Sequence, residues 1–315
     1  MTHLFVRAFI TSPVARRAAV RPVWFVGFLL ACLSTACSSA PSSPFDVKQR
    51  DAYRFLTDAN RLVEGNRLAD AEIQYGRACS SFALIDDMEG LVTCKTNRAI
   101  LALQRGRPNA AEALFGEALK ISDDFGVKGM RGRIYVYLTL LYIRRKDEES
   151  AKRFVARALD ILEDKEDRRR ALAYRGYLLL EAGELKKAKS DLHDALGTKQ
   201  RDLESYILIN LARLYLKRED STKAEEYARR AAAIDRDLAQ SSHLAYDYAI
   251  LSEISVAQLD YRQATLYRRR ALSLNMALKN NRNARKDARA LLGYYRFLKD
   301  KDAQREMQRL IRRLR

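Results

Sequence analysis

The sequence predicts an all-α fold, a solenoid of about seven helix–turn–helix repeats. Three observations carry this. A pair of alanines seven residues apart recurs at Ala71/Ala78, Ala111/Ala118, Ala151/Ala158, Ala188/Ala195, Ala224/Ala231 and Ala264/Ala271, with a weaker seventh copy at Ala303/Leu310. The first members follow one another at 40, 40, 37, 36, 40 and 39 residues. Prolines, which break helices, are nearly absent from this stretch: of five in the chain only Pro108 lies beyond Pro44. Apolar runs such as Tyr135–Ile143 fit a helical period as readily as an alternation, and glycine-bounded hairpin turns are scarce.

Residues 96–119 show the unit. Two short amphipathic helices flank a turn at Arg105–Pro108, with Asn109 and Glu112 where the second helix begins. Pro108 lacks an N–H that a first-turn position does not use. A hairpin of this size cannot bury its own apolar stripe and needs copies on either side. Between the alanines sit large knobs, Tyr75, Phe115, Val155 and Leu192. Twelve residues before the first alanine comes another small residue at Ala59, Ala99, Gly176, Ala212 and Ser252. Leu62, Ala102, Tyr142, Leu179 or Tyr215 follows, completing the register.

This pattern resembles the tetratricopeptide repeat, whose helical hairpins stack into a right-handed superhelix. The resemblance covers about residues 50–315. The period exceeds the family's usual length of about 34 residues, and the proline after the second helix is missing. Both departures fit longer second helices.

Residues 1–37 read as an export signal. A basic stretch ends at Arg21, an apolar segment runs from Val23 to Leu33, and Cys37 follows Ser34-Thr35-Ala36. That apolar segment is short for a membrane span, which needs about 20 residues. Leu33 to Cys37 resembles the lipobox of bacterial lipoproteins. The resemblance implies that the Cys37 thiol is lipidated, the peptide cut before it and the new amine acylated. Leu29 to Cys32 offers a second lipobox with a shorter apolar segment before it, and an uncleaved anchor is the third reading. Residues 38–49 begin with SSAPSSP, a composition expected of a flexible tether. Ser38 after the cysteine implies, in that family, sorting to the periplasmic face of the outer membrane.

The folded part holds two cysteines, Cys79 and Cys94, at helix ends expected to neighbour each other across residues 80–89. An exported protein permits a disulfide here; two buried thiols are the other reading. The formal charge is +18, and residues 261–315 alone hold 17 basic and 4 acidic residues. Arg268, Arg269, Arg270, Arg285, Lys286 and Arg289 lie in this basic C-terminal part, which attracts anions or serves as a solvated cap for the last repeat. Anionic cell wall, lipid headgroups or an acidic protein are the partners expected of it, and nucleic acid is not expected for an exported chain.

No catalytic constellation is legible. His193 and His243 fall in different repeats with no ligand at metal-binding spacing, and neither a phosphate-cradling loop nor a nucleophile elbow is present. Asp86-Asp87 and Asp123-Asp124 read as helix caps or turn residues. The expectation is a non-enzyme with no metal and no cofactor. In the tetratricopeptide family, asparagines flanking the small residue of successive first helices can grip a peptide. The resemblance places Asn60 and Asn97 at such positions and Arg133 at a basic one, with Leu56 and Tyr137 where the family has two further basic residues and Asn210 as a second site. An amide can donate to a carbonyl and accept from an N–H, so it suits peptide backbone. Bonding between neighbouring helices is the alternative use of these asparagines. Tyr135, Tyr206, Tyr246 and Tyr248 extend the same face. Repeat and anchor together resemble type IV pilus pilotins, which carry secretins, and adaptor lipoproteins that scaffold peptidoglycan hydrolases. The expected role is an outer-membrane scaffold with envelope proteins as partners; the alternative is an envelope-surface binder using the basic end.

Overall fold

The computed structural model describes residues 43–314, so Cys32, Cys37 and the expected signal lie outside the described residues. The described chain forms two compact units that meet in sequence at Met130 and Arg131. The first holds α1 (Pro44–Glu64), α2 (Leu68–Leu84), α3 (Met88–Gln104) and α4 (Pro108–Asp124). The second holds α5 (Arg131–Arg145), α6 (Glu148–Ile161), α7 (Lys165–Glu181), α8 (Leu185–Ala195) and α9 (Arg201–Lys217). It continues through α10 (Ser221–Asp237), α11 (Ser241–Ala257), α12 (Tyr261–Ala277), α13 (Asn281–Phe297) and α14 (Lys301–Arg313). These pair as seven hairpins, α1 with α2 through α13 with α14, and the described residues include no strand.

The expected tether ends earlier than residue 50. Pro44 opens α1 because Ser43 and Asp46 form a reciprocal capping box: the Asp46 N–H donates to Ser43 Oγ at 3.1 Å, and the Ser43 N–H to Asp46 Oδ2 at 3.0 Å. Second helices are not lengthened relative to first ones. Both run to 17 residues in the hairpins α3–α4, α9–α10 and α11–α12, and α8 has only 11.

All seven hairpins close in the same way. One residue turns left-handed at Asn66, Gly106, Lys146, Gly183, Glu219, Leu259 or Lys299. The next N–H then donates to the carbonyl five residues back, as from Arg67 to Leu62 at 2.8 Å and Asp260 to Ser255 at 2.9 Å. This satisfies orphan carbonyls at the end of the first helix. Where the following residue is Asp147, Asp220, Asp260 or Asp300, its side chain also caps the second helix.

The alanine register is the packing register. Every alanine of the six strong pairs is fully buried, and Tyr75, Phe115, Val155 and Leu192 fill the space between. Ala303 and Leu310 are half-buried against the terminal cluster of Leu291, Tyr295 and Met307. First helices touch one another along each unit, α1 on α3 in one and α5, α7, α9 and α11 in succession in the other. Within each unit second helices also pack against the next first helix, α2 on α3 in one and α6 on α7, α8 on α9, α10 on α11 and α12 on α13 in the other. Close approach is also built into α3, where a Cβ on Gly90 would come within 2.3 Å of the buried Phe82 ring. Cys79 and Cys94 are joined in a disulfide with their Cα atoms 5.5 Å apart, tying the first hairpin to the second.

Candidate functional site

The first helices of the second unit carry a run of tyrosines and arginines that bind each other from helix to helix. On α5, Arg133 Nε donates to Asp167 Oδ2 of α7 at 2.8 Å. Arg170 of α7 donates to the Tyr137 hydroxyl of α5 at 2.7 Å and lies over its ring at 5.4 Å. Tyr174 and Tyr177 of α7 both meet Tyr206 of α9, with ring centroids 5.7 and 6.3 Å apart. Arg213 of α9 lies over the Tyr177 ring at 5.8 Å and pairs with Glu181. Tyr246 of α11 neighbours Arg213 in turn.

Sequence places these groups on one layer because successive first helices repeat one register, so a given register position recurs on the same side. Burial pushes the Tyr137, Tyr174 and Tyr206 hydroxyls up, and arginine charge opposes it. Tyr246 is pushed up to about 12 by the same cause. All four stay protonated at neutral pH and can donate hydrogen bonds. Tyr177, Arg213 and Tyr246 are only half-buried, and Glu181 and Glu253 beside them are exposed. The surface therefore offers ring faces, a guanidinium and carboxylates within one strip. Planar aromatic and guanidinium groups give large contact area at small entropic loss.

The predicted clamp residues do not behave alike. Asn60 Oδ1 accepts from the Tyr75 hydroxyl at 2.8 Å, which joins α1 to α2. Asn97 is 1 % exposed, and its Nδ2 has no hydrogen-bond partner among the described residues. Arg133 and Tyr137 are held by Asp167 and Arg170 as above. Asn210 is turned into its own helix: Nδ2 donates to the Tyr206 carbonyl at 2.8 Å, and Oδ1 accepts from Arg213 at 3.2 Å. With both ends satisfied and 2 % exposure, Asn210 offers no second peptide site.

The basic C-terminal residues also divide. Arg269, Arg270, Lys286 and Arg289 are exposed and Arg285 is half-buried. Arg268 is not a surface residue. It occupies the knob position that Tyr75, Phe115, Val155 and Leu192 fill elsewhere, and it bonds Asp287 at 3.2 Å, Glu253 at 3.2 Å and Ser252 at 3.3 Å. Asn275 donates to the other oxygen of Asp287 at 2.7 Å.

One cluster was not legible in the sequence. Asp235 of α10 and Asp247 of α11 are 2 % and 1 % exposed and face each other, with His243 Nδ1 4.0 Å from Asp235. Asp247 lies among Ala245, Tyr248, Ile250 and Leu251, and a lone acid on an apolar stretch was the available signal. Among the described residues no group of histidine, cysteine and carboxylate side chains could hold a metal ion. No helix of the described residues is long and apolar enough to cross a membrane.

No family model matches the chain, and no curated protein matches it. Solved structures do. The apo form of RapI is similar with a TM-score of 0.61 at 13% identity, over 84% of this chain and 76% of that one. The apo form of the quorum sensor NprR from B. thuringiensis is similar with a TM-score of 0.58 at 12% identity, over 84% of this chain and 87% of that one. The signal-transduction ATPase PH0952 from Pyrococcus horikoshii, described as carrying a tetratricopeptide repeat sensor, gives 0.53 at 16% identity over 86% of this chain. The chain spans 46% of that protein's length. At these identities the likeness is one of fold: an all-α helical-repeat solenoid of the tetratricopeptide kind.

Proposed function

We propose that this chain is a non-catalytic scaffold that binds protein segments along its first-helix layer, held at the periplasmic face of an outer membrane by a lipid on Cys37. The observation that carries the binding reading is the strip formed by Tyr177, Arg213 and Tyr246, three part-exposed groups contributed by three successive first helices. Such a strip suits an extended peptide, because ring faces take side chains while the guanidinium and hydroxyls take backbone carbonyls. The anchor reading rests on the Leu33–Cys37 pattern and the serine-rich stretch after it. Secretin subunits and peptidoglycan hydrolases are the partner classes that architecture and anchor suggest.

A photo-crosslinking residue placed at 177 or 246, in cells of a Gram-negative host, tests the binding reading against the same residue at the exposed Leu266 of α12. An envelope protein joined from 177 and 246 but not from 266 supports it. Identical products from all three positions overturn it. Cys37→Ser should leave the protein in the soluble periplasmic fraction and remove incorporated acyl label; retention in the outer membrane would sink the anchor.

A further inference from the structure

Helix α13 presents a cationic stripe with no counter-charge of its own. At 100° per residue, Arg282, Arg285, Lys286, Arg289, Gly293 and Arg296 fall within about 100° of one another, over about 21 Å of helix. The opposite side, Ala284, Asp287, Ala288, Leu291 and Tyr295, is buried. Its one acid, Asp287, is therefore turned inward to Arg268 and Asn275. Among the described residues no ion pair reaches Arg282, Arg285, Lys286, Arg289 or Arg296, in contrast to Arg305, which pairs with Asp302. The pairs 282/285, 282/286, 285/289 and 286/289 are like-charged neighbours at three- and four-residue spacing, each of which destabilises an isolated helix.

Two neighbouring features select among anions. Gly293 sits in the helix interior between Arg289 and Arg296, and a Cβ there would meet nothing within 4 Å. Glycine is a poor helix former, and packing does not require it here. It leaves an open notch in the stripe where another backbone can come close. At the end of the stripe Phe297 is 63% exposed and stacked on Tyr261, with ring centroids 3.7 Å apart. A notch and an aromatic ledge serve an occupant that has a backbone and apolar side chains. A phosphate polymer or a lipid surface would use exposed cations anywhere, including Arg269, Arg312 and Arg313.

We propose that the α13 stripe is the docking site for an acidic protein segment, with carboxylates at helical spacing along Arg282, Arg285, Lys286, Arg289 and Arg296 and an apolar residue on Phe297. Arginine dominates the row, and its planar fork matches carboxylates in a bidentate way. This site is separate from the tyrosine–arginine strip and does not depend on it.

The test uses the full chain and a labelled synthetic helical peptide with glutamates at positions i, i+4, i+7 and i+14 and a terminal leucine, followed by fluorescence anisotropy at physiological salt. Arg285→Gln/Arg289→Gln is expected to weaken binding at least tenfold, while Arg312→Gln/Arg313→Gln, with the same loss of charge, leaves it within twofold. Gly293→Leu is expected to weaken binding at unchanged charge; as leucine is the better helix former, unfolding is not the cause. Equal losses from the two arginine pairs, or no effect of Gly293→Leu, would overturn the proposal. So would anionic phosphatidylglycerol vesicles or polyphosphate binding with the same dependence on Arg285, Arg289 and Gly293.

Discussion

The carboxyl groups of Asp235 and Asp247 meet face to face where α10 packs on α11, and neither residue is more than 2 % exposed. Burial raises both pKa values, Asp235 to about 6 and Asp247 well above the ordinary carboxylate range, where the neighbouring Asp235 charge adds to the effect. Both carboxyls are therefore driven toward the neutral form. Asp202 of α9 adds negative charge, the Ser205 hydroxyl donates to the Ala231 carbonyl at 3.4 Å, and His243 Nδ1 of α11 lies 4.0 Å from Asp235.

Stability should fall with rising pH. A carboxyl whose pKa is higher folded than unfolded stabilises the fold below its unfolded value, and that contribution is lost as pH climbs through the folded value. For Asp235 the window opens near pH 4 and runs through about pH 6; for Asp247 it extends higher. Urea unfolding at pH 5 and pH 8 should show the protein weaker at pH 8, with Asp247→Asn flattening the difference. His243→Gln is the control for the neighbouring imidazole. Equal stability at the two pH values would dismiss the raised carboxyl pKa values.

Removing Arg268 should be severe. Its guanidinium and the Asp287 carboxylate are 8% and 4% exposed, so Arg268→Ala strands a buried anion. The expected loss is about 3–5 kcal/mol in chemical denaturation. Arg268→Met with Asp287→Asn should regain most of it, because the knob is refilled and no charge is left behind. Similar losses in the single and double variants would mean that the stranded charge does not set the penalty.

Leu259 is a site where stability can be gained. It holds φ at 62° with its side chain 77% exposed, so it bears backbone strain and contributes little packing. Glycine occupies the same turn position at Gly106 and Gly183 without strain. Leu259→Gly should stabilise by about 0.5–1 kcal/mol, the left-handed penalty of about 1–2 kcal/mol less the entropy of a freer unfolded chain. A lower melting temperature in the variant would show that Leu259 makes a contact that matters.

The bridge between Cys79 and Cys94 closes a loop of 15 residues. Its reduction should lower stability by about 3 kcal/mol, with the loss confined to the first unit. Thiol titration of the denatured, unreduced chain gives an independent reading: reactive thiols at 79 or 94 would mean that the bridge does not form.

The fold was legible in the sequence because its packing depends on small residues at one spacing, and the Ala71/Ala78 type of pair survives when everything around it changes. The site was legible only in part. Arg268-Arg269-Arg270 reads as one basic block, yet 100° of rotation per residue sends the first inward and the next two to solvent. The signal was present: Arg268 stands four residues after Ala264, as Tyr75 does after Ala71 and Leu192 after Ala188. Asn210 departs from the groove expectation for a related reason. Its place beside Ala212 fits a groove residue, but a side chain on a tightly packed first helix can bond the carbonyl one turn back. Hairpin turns at Lys146, Glu219, Leu259 and Lys299 carry no glycine or asparagine, so their left-handed backbone leaves no compositional trace.

Among the described helices α14 has the fewest buried residues. Of the residues in α14 only Met307 is buried, and Ala303, Leu310 and Ile311 cover the rest of a small terminal cluster. Amide protons there should exchange with solvent soonest, and a protease should begin its cuts there. Because α14 packs on α13, the cationic stripe lies beside the helix with the fewest buried residues among those described. An occupant on that stripe would act as a clasp, slowing exchange in α14 without touching it and lengthening the life of the whole chain.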